Sequence, residues 1–211
     1  MSYSFHWQGQ EWVALPERAL LWPAERLLLV ADLHLGKDAT FRAHGIPVPL
    51  GCDEDTLRRW GELLDRYPEF DSVVLGDLFH GPESAHPACQ SLLDGWLDRY
   101  RERVTLVAGN HDRWRNVGSI GIAVERSITR AGIHLVHHPD GEAPYVAGHL
   151  HPGFRLQVGR QAAPKTPCFW VRSRGIVLPA FGAFTGLWEV EVEPGDEVLL
   201  TPGRKVHAVR C

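Results

Sequence analysis

No stretch of this sequence is apolar for long enough to cross a bilayer: the longest runs, such as residues 27–31, fall far short of the roughly 20 residues a spanning helix needs. Residues 1–12 are polar and aromatic and lack a basic region followed by an apolar stretch, so no signal peptide is visible. Cysteine is scarce. Cys52, Cys89, Cys168 and Cys211 form neither a CxxC pair nor a zinc-ribbon spacing, which argues against a cysteine-held structural zinc and makes reduced thiols in a cytoplasmic protein the expectation. A positive field is missing too. The formal net charge is −4, so a role on nucleic acid would need a local basic patch or a partner protein. There is no low-complexity tract, long linker or internal repeat.

What is present suits one globular domain over residues 1–211. Hydrophobic residues make up 44% and charged residues 23%, and a chain of this size buries roughly 70% of its unfolded surface. Short strands are expected at residues 4–7, 12–15 and 19–21. The uniformly apolar run at 27–31 reads as a strand covered on both faces, and the runs at 73–75 and 104–108 repeat the pattern. Two helices lie between them. One carries Leu57, Trp60, Leu63, Leu64 and Tyr67, with Asp53 as candidate N-cap; the other carries Cys89, Leu92, Leu93, Trp96, Leu97 and Tyr100 at three- and four-residue spacing. Residues 113–130 read as mixed short helix and loop. Strands are then expected at 133–136, 145–147, 154–158, 167–171, 176–178, 187–192, 197–200 and 206–209. Strand–helix alternation followed by a strand-rich half predicts an α/β fold, a two-sheet β-sandwich flanked by helices (αββα).

Five segments rich in Asp, His and Asn follow these runs: Asp32-Leu33-His34, Gly76-Asp77, Gly109-Asn110-His111-Asp112, His137, and Gly148-His149-Leu150-His151. The carboxyl ends of buried strands deliver side chains into one crevice, and carboxylate, imidazole and amide donors together suit hard or borderline divalent ions. Asp32 and His34 offer half a shell for one ion, against the ordinary reading of a capping Asp beside a core His. Asp77 could bridge two cations or simply close a turn. Asn110 offers a neutral carbonyl. His111 would stand beside the ions to protonate a leaving alkoxide or hold a phosphate oxygen, with Asp112 fixing its ring tautomer. His149 and His151, at alternate positions in an extended stretch, would face the same way, each able to ligate a different ion. Either His137 or His138 would complete the second shell.

The order D-x-H, G-D, G-N-H-D, H, G-H-x-H resembles the calcineurin-like metallophosphoesterase superfamily across about residues 27–152. That resemblance implies the two-sheet sandwich. It also implies a first ion held by Asp32, His34, Asp77 and His151, and a second held by Asp77, Asn110, His137 and His149, with the His-x-Pro spacing to Pro139 favouring His137. His111 would be the catalytic acid, supported by Asp112. Further segments resemble the ligase-associated DNA damage response endonucleases, the PdeM branch: residues 31–37, 41–49, 76–80, 148–152, 168–170 and 178–186. This implies a bacterial repair protein that associates with an ATP-dependent DNA ligase and a helicase.

The expected activity is phosphodiester hydrolysis, as a DNA endonuclease or phosphodiesterase, by in-line attack of a hydroxide bridging two divalent ions. Mn²⁺ is the expected metal, with Zn²⁺, Fe²⁺ or Mg²⁺ as alternatives. Lys37, Arg42, His80 and Arg113 follow metal motifs and could contact the phosphate, or be ordinary solvated charges. Arg155, Arg160, Lys165, Arg172 and Arg174, with Trp170 and Phe181 as stacking surfaces, could track a nucleic-acid backbone; a core role for the aromatics and a solvated one for the charges is the preferred reading. A small-molecule or nucleotide phosphatase would suit the acidic charge. A scaffold that had lost turnover should also have lost ligands, and here none is missing.

Overall fold

The computed structural model describes all residues except 114–116, 140–143, 159–160 and 211. Its first sheet has seven strands in chain order: β1 (Tyr3–Trp7), β2 (Gln10–Ala14), β3 (Leu20–Trp22), β4 (Leu27–Val30), β5 (Asp71–Leu75), β6 (Val104–Val107) and β7 (Ala123–Glu125). The pairs from β1 to β4 are antiparallel, and those from β4 to β7 are parallel. The parallel steps are crossed by helices α1 (Lys37–Ala43) and α2 (Cys52–Arg66) between β4 and β5, and α3 (Pro87–Tyr100) between β5 and β6.

The second half supplies β8 (Ile128–Arg130), β9 (Ile133–Val136), β10 (Tyr145–Ala147), β11 (Pro152–Phe154), β12 (Gln157–Val158), β13 (Gln161–Ala162), β14 (Thr166–Val171), β15 (Gly175–Val177), β16 (Trp188–Glu189), β17 (Glu197–Leu200) and β18 (His207–Arg210). Apart from the small β12–β13 hairpin, these form a nine-stranded mixed sheet in which β9, β10 and β15 run parallel.

Alternation along β4 shows why its run is wholly apolar. Leu28 and Val30 pack under α2 and α3 with Trp60, Leu64 and Leu93. Leu29 and Ala31 face the second sheet, where Trp12, Trp22, Leu135, Phe169 and Leu178 fill the layer between sheets. Each such buried side chain contributes about 1.5–3 kcal/mol by leaving water. A third cluster, with Tyr145, Trp170 and Val198, covers the second sheet's outer face with Val190 from the 183–195 segment. The described helices therefore lie against the first sheet.

Several local expectations need correction. Residues 113–130 hold two strands, β7 and β8, whose short, largely exposed sequences carry little apolar signal. Residues 154–158 are split between β11 and β12, and only Trp188–Glu189 of 187–192 is paired. Asp53 does not cap α2, whose N-cap is Gly51; its carboxylate instead accepts the Gly36 N–H at 2.9 Å, tying the start of α2 to that of α1. No helix among the described residues is long and apolar enough to cross a membrane.

Candidate metal centre

The parallel strands β4, β5 and β6 end at one edge of the first sheet, and β9 and β10 end beside them. The residues that follow converge there. Asp32 and His34 follow β4, Asp77 follows β5, Asn110 and His111 follow β6, His137 follows β9, and His149 and His151 follow β10. Five of these eight, Asp32, His34, Asp77, His149 and His151, have left-handed backbone (φ 48 to 72°), a conformation non-glycine residues avoid and functional sites retain. Backbone bonds across the crevice hold them so: Asp32 N–H to the Gly76 carbonyl at 3.1 Å, His34 N–H to the Asp77 carbonyl at 2.9 Å, and Gly148 N–H to the His137 carbonyl at 3.2 Å.

Two groups of donors result. In the first, His34 Nε2 and His151 Nε2 are 3.1 Å apart, His151 Nε2 is 3.5 Å from Asp32 Oδ1, and His34 Nε2 is 4.0 Å from Asp77 Oδ2. In the second, His137 Nε2 lies 3.1 Å from His149 Nδ1, 2.9 Å from Asn110 Oδ1 and 3.4 Å from Asp77 Oδ1. Asp77 therefore has one oxygen toward each group. His137 Nδ1 lies 2.9 Å from the Leu75 carbonyl, to which it donates, so its Nε2 lone pair points at the cluster. His138 is exposed, its ring against His149.

The seven residues expected as ligands are thus brought together, in two groups that share Asp77. His149 and His151 do not face one way as an extended segment would make them. Their left-handed backbones send His149 to His137 and His151 to His34.

The donor set fits divalent cations. Ligand atoms about 2.1 Å from a shared ion stand roughly 3.0–3.4 Å apart, close to the separations within each group. Burial also favours neutral imidazoles: it takes His34 down to about 2, helped by neighbouring His151, and lowers His149 with His137 beside it. Burial raises the Asp77 carboxyl, opposed by His137 and by the His111 N–H at 2.9 Å. Cations would relieve that cost.

His111 is placed beside the ligands, its ring centroid 5.1 Å from that of His34. Its Nδ1 lies 2.7 Å from the His80 carbonyl, and its ring stacks on His80. Asp112 does not orient this ring. Its buried carboxylate accepts three backbone N–H groups, from Asp77 at 2.9 Å, Phe79 at 3.2 Å and Gly109 at 2.8 Å, and so staples the loop after β5 to the loop after β6. Sequence reasoning missed two further supports. His149 N–H donates to both Asp32 oxygens. The segment after β15 grips the end of β4 through Phe181 N–H to Ala31 and Gly182 N–H to Asp32. The Phe181-Gly182 pair was visible, but its contact was not.

Of the phosphate-contact candidates, His80 Nδ1 is 3.4 Å from His34 Nδ1, and half-buried Lys37 feels the Asp32 carboxylate. Arg113 is exposed. Arg42 is bound to Asp38 at 3.0 Å. The later basic cluster is largely neutralised: Arg155 and Lys165 pair with Glu189, and Arg172 with Glu193 and Asp196. Arg160 lies outside the described residues. Trp170 and Phe181 are buried core residues. Cys52, Cys89 and Cys168 form no disulfide with one another, and Cys211 also lies outside the described residues.

The calcineurin-like phosphoesterase family matches residues 25–137, and the chain belongs to that family. It is therefore a hydrolase of ester bonds built around a candidate dinuclear divalent-metal centre. Among solved structures it is similar to the Pseudomonas putida nuclease MPE, with 32% identity, a TM-score of 0.84, and 99% of this chain and 100% of that one covered. It also matches the E. coli phosphoesterase Yfce at 18% identity and a TM-score of 0.47, covering 87% and 97%. No curated protein matches.

Proposed function

We propose that this protein is a metal-dependent phosphodiesterase acting on DNA, a nuclease. The observation that carries the reading is the pair of donor groups sharing Asp77, one oxygen turned to each. Similarity to a nuclease over 99% of the chain supports nucleic acid as the substrate. Asp32, His34, Asp77 and His151 would hold one divalent ion, and Asp77, Asn110, His137 and His149 the other. Bound there, two such ions supply Lewis-acid charge neutralisation and activation of water near neutral pH.

The chain's own residues do the rest. The His80 carbonyl fixes His111 Nδ1–H and leaves Nε2 to meet the substrate. Carrying a second proton on Nε2, His111 would give it to the departing alkoxide as the P–O bond breaks and the water oxygen bonds to phosphorus, while the proton lost by that water leaves to solvent. Lys37 offers a cation to a non-reacting phosphate oxygen. Mn²⁺ as the metal, association with an ATP-dependent DNA ligase and a helicase in repair, and a cytoplasmic location belong to the same reading, on the strength of the PdeM-like motifs.

The test is a side-by-side assay of metal-loaded protein on single-stranded DNA, duplex DNA, bis-p-nitrophenyl phosphate, cyclic nucleotides and phosphomonoesters. Cleavage of DNA and of the small diester is expected. Turnover of phosphomonoesters or cyclic nucleotides with DNA left intact would replace the nuclease reading by that of a small-molecule phosphoesterase.

A further inference from the structure

A second concavity, of about 570 Å³, opens on the far side of the segment that grips Asp32. Arg18, Arg59, Arg66 and Arg204 line it, with Glu17 as the one carboxylate. Four arginines against one glutamate is a local excess of positive charge in a chain of net charge −4. Glu17 is taken by Arg66 at 2.7 Å, and Arg59 is shared with Asp55 at 3.0 Å. Arg18 has no carboxylate within ion-pair distance among the described residues. Its guanidinium donates to the Ala180 carbonyl at 3.3 Å, where burial and the neighbouring charge of Arg59 lower its pKa. Two guanidiniums brought together without a carboxylate between them repel, and a bound anion with several acceptor oxygens relieves that repulsion. Arg18 is also held with a left-handed backbone (φ 71°), as five of the centre's residues are.

The cleft is wired to the metal centre. Arg18 binds the carbonyl of Ala180 and Arg59 that of Phe181, at 2.8 Å, while the N–H groups of Phe181 and Gly182 bind Ala31 and Asp32. Ala183 borders both this cleft and the small pocket beside His34 and Lys37. Ala183 thus stands between the surroundings of His34 and the arginines.

We infer that the Arg18–Arg59–Arg66–Arg204 cleft is a phosphate subsite that holds the backbone of the polynucleotide substrate away from the bond being cut. This inference rests on the nuclease reading. Its volume suits a nucleotide-sized group, and arginine forks suit phosphate oxygens.

The test uses Arg204→Glu, an exposed change, and Arg18→Gln, with thermal melting confirming that each folds. Metal-loaded enzymes are compared on an oligonucleotide and on bis-p-nitrophenyl phosphate, which is too small to span the two places. Oligonucleotide affinity is measured separately by fluorescence anisotropy across salt concentrations. The expected result is a roughly tenfold higher KM and weaker binding for the oligonucleotide. For Arg18→Gln, the slope of log affinity against log salt should also be shallower by about one. Turnover of the small diester by Arg204→Glu should stay within about twofold of wild type.

Unchanged oligonucleotide KM and affinity in both variants would overturn the subsite while leaving the nuclease reading intact. Failure of the wild type to cut DNA would remove the nuclease reading; the anisotropy comparison then decides the cleft alone, since retained binding in Arg204→Glu overturns it and loss supports it. Competition by a mononucleotide as effective as the oligonucleotide would assign the cleft to a free nucleotide and overturn the strand assignment.

Discussion

His111 and Asp112 are neighbours in sequence with different work to do, and two substitutions separate them. His111→Ala removes a ring that stands beside the donor groups, so both ions should remain by metal analysis while kcat on bis-p-nitrophenyl phosphate falls about 10²–10⁴-fold. Asp112→Asn replaces a carboxylate that takes three buried N–H groups by an amide whose NH₂ would confront one of them. It should cost about 1–3 kcal/mol in urea unfolding and lower metal content as the two loops part. Wild-type stability and metal content with a loss confined to kcat would instead place Asp112 in the chemistry.

His80 gives a pH signature at the same scale. Burial, with the charges of Lys37 and His111 nearby, takes its imidazole down to about 4. In the unfolded chain it titrates near 6.5. Between those values the unfolded state holds a proton that the folded state lacks, so acidification destabilises the fold from about pH 6.5 down to about 4 and has no further effect through this group below that. His80→Asn should make the metal-free protein's stability less steep in pH over this window, by up to one proton. Equal slopes in the two proteins would show that His80 is no more shielded folded than unfolded.

At the scale of elements, glycine decides whether the strand-end loops can approach one another. Gly76 has φ +83°, and a Cβ there would lie 2.0 Å from His137 Nδ1. Gly76→Ala should displace His137 and break its bond to the Leu75 carbonyl. Elemental analysis should then find close to one ion per chain in place of two, with the circular dichroism of the fold retained. Retention of two tightly held ions would mean that the loop after β5 can yield.

The strands that carry the centre were legible in the sequence because they are buried on both faces. The runs at 27–31 and 73–75 have no polar residue before the one that matters, 104–108 has only Thr105, and β9, β10 and β17 match expectation residue for residue. β7 and β8 were not legible. Ala123–Glu125 and Ile128–Arg130 sit at sheet edges, are largely exposed, and owe their conformation to pairing with β6 and β9. The candidate ligands could be picked out by residue type and placement after strands. Their aim could not, since it comes from left-handed backbone at Asp32, His34, Asp77, His149 and His151, which depends on bonds between loops distant in sequence. For the same reason Asp112, which looks like a partner for the adjacent ring, proved to be a partner for three backbone groups.

For the whole molecule, the consequence is that metal and fold are one equilibrium. Asp32 and Asp77 are both buried, each within a group of imidazole donors, and burial together with the Asp32 charge raises the Asp77 carboxyl, a cost that divalent ions relieve. Ions that bind the folded chain and not the unfolded one stabilise it by about 2.7 kcal/mol at a hundred times the dissociation constant. For a chain of this length that is roughly 5–10 °C in melting temperature. Melting should therefore rise on adding Mn²⁺ and fall on adding EDTA. Asp77→Asn cuts the charge of the residue common to both groups, so it should flatten this dependence and abolish turnover together. It should also raise the melting temperature of the metal-free protein, because a buried carboxylate has been replaced by a neutral amide. A variant that still gained the full increment from Mn²⁺, or that hydrolysed bis-p-nitrophenyl phosphate at the wild-type rate, would show that Asp77 does not bridge two ions, and the two donor groups would have to be read as separate sites.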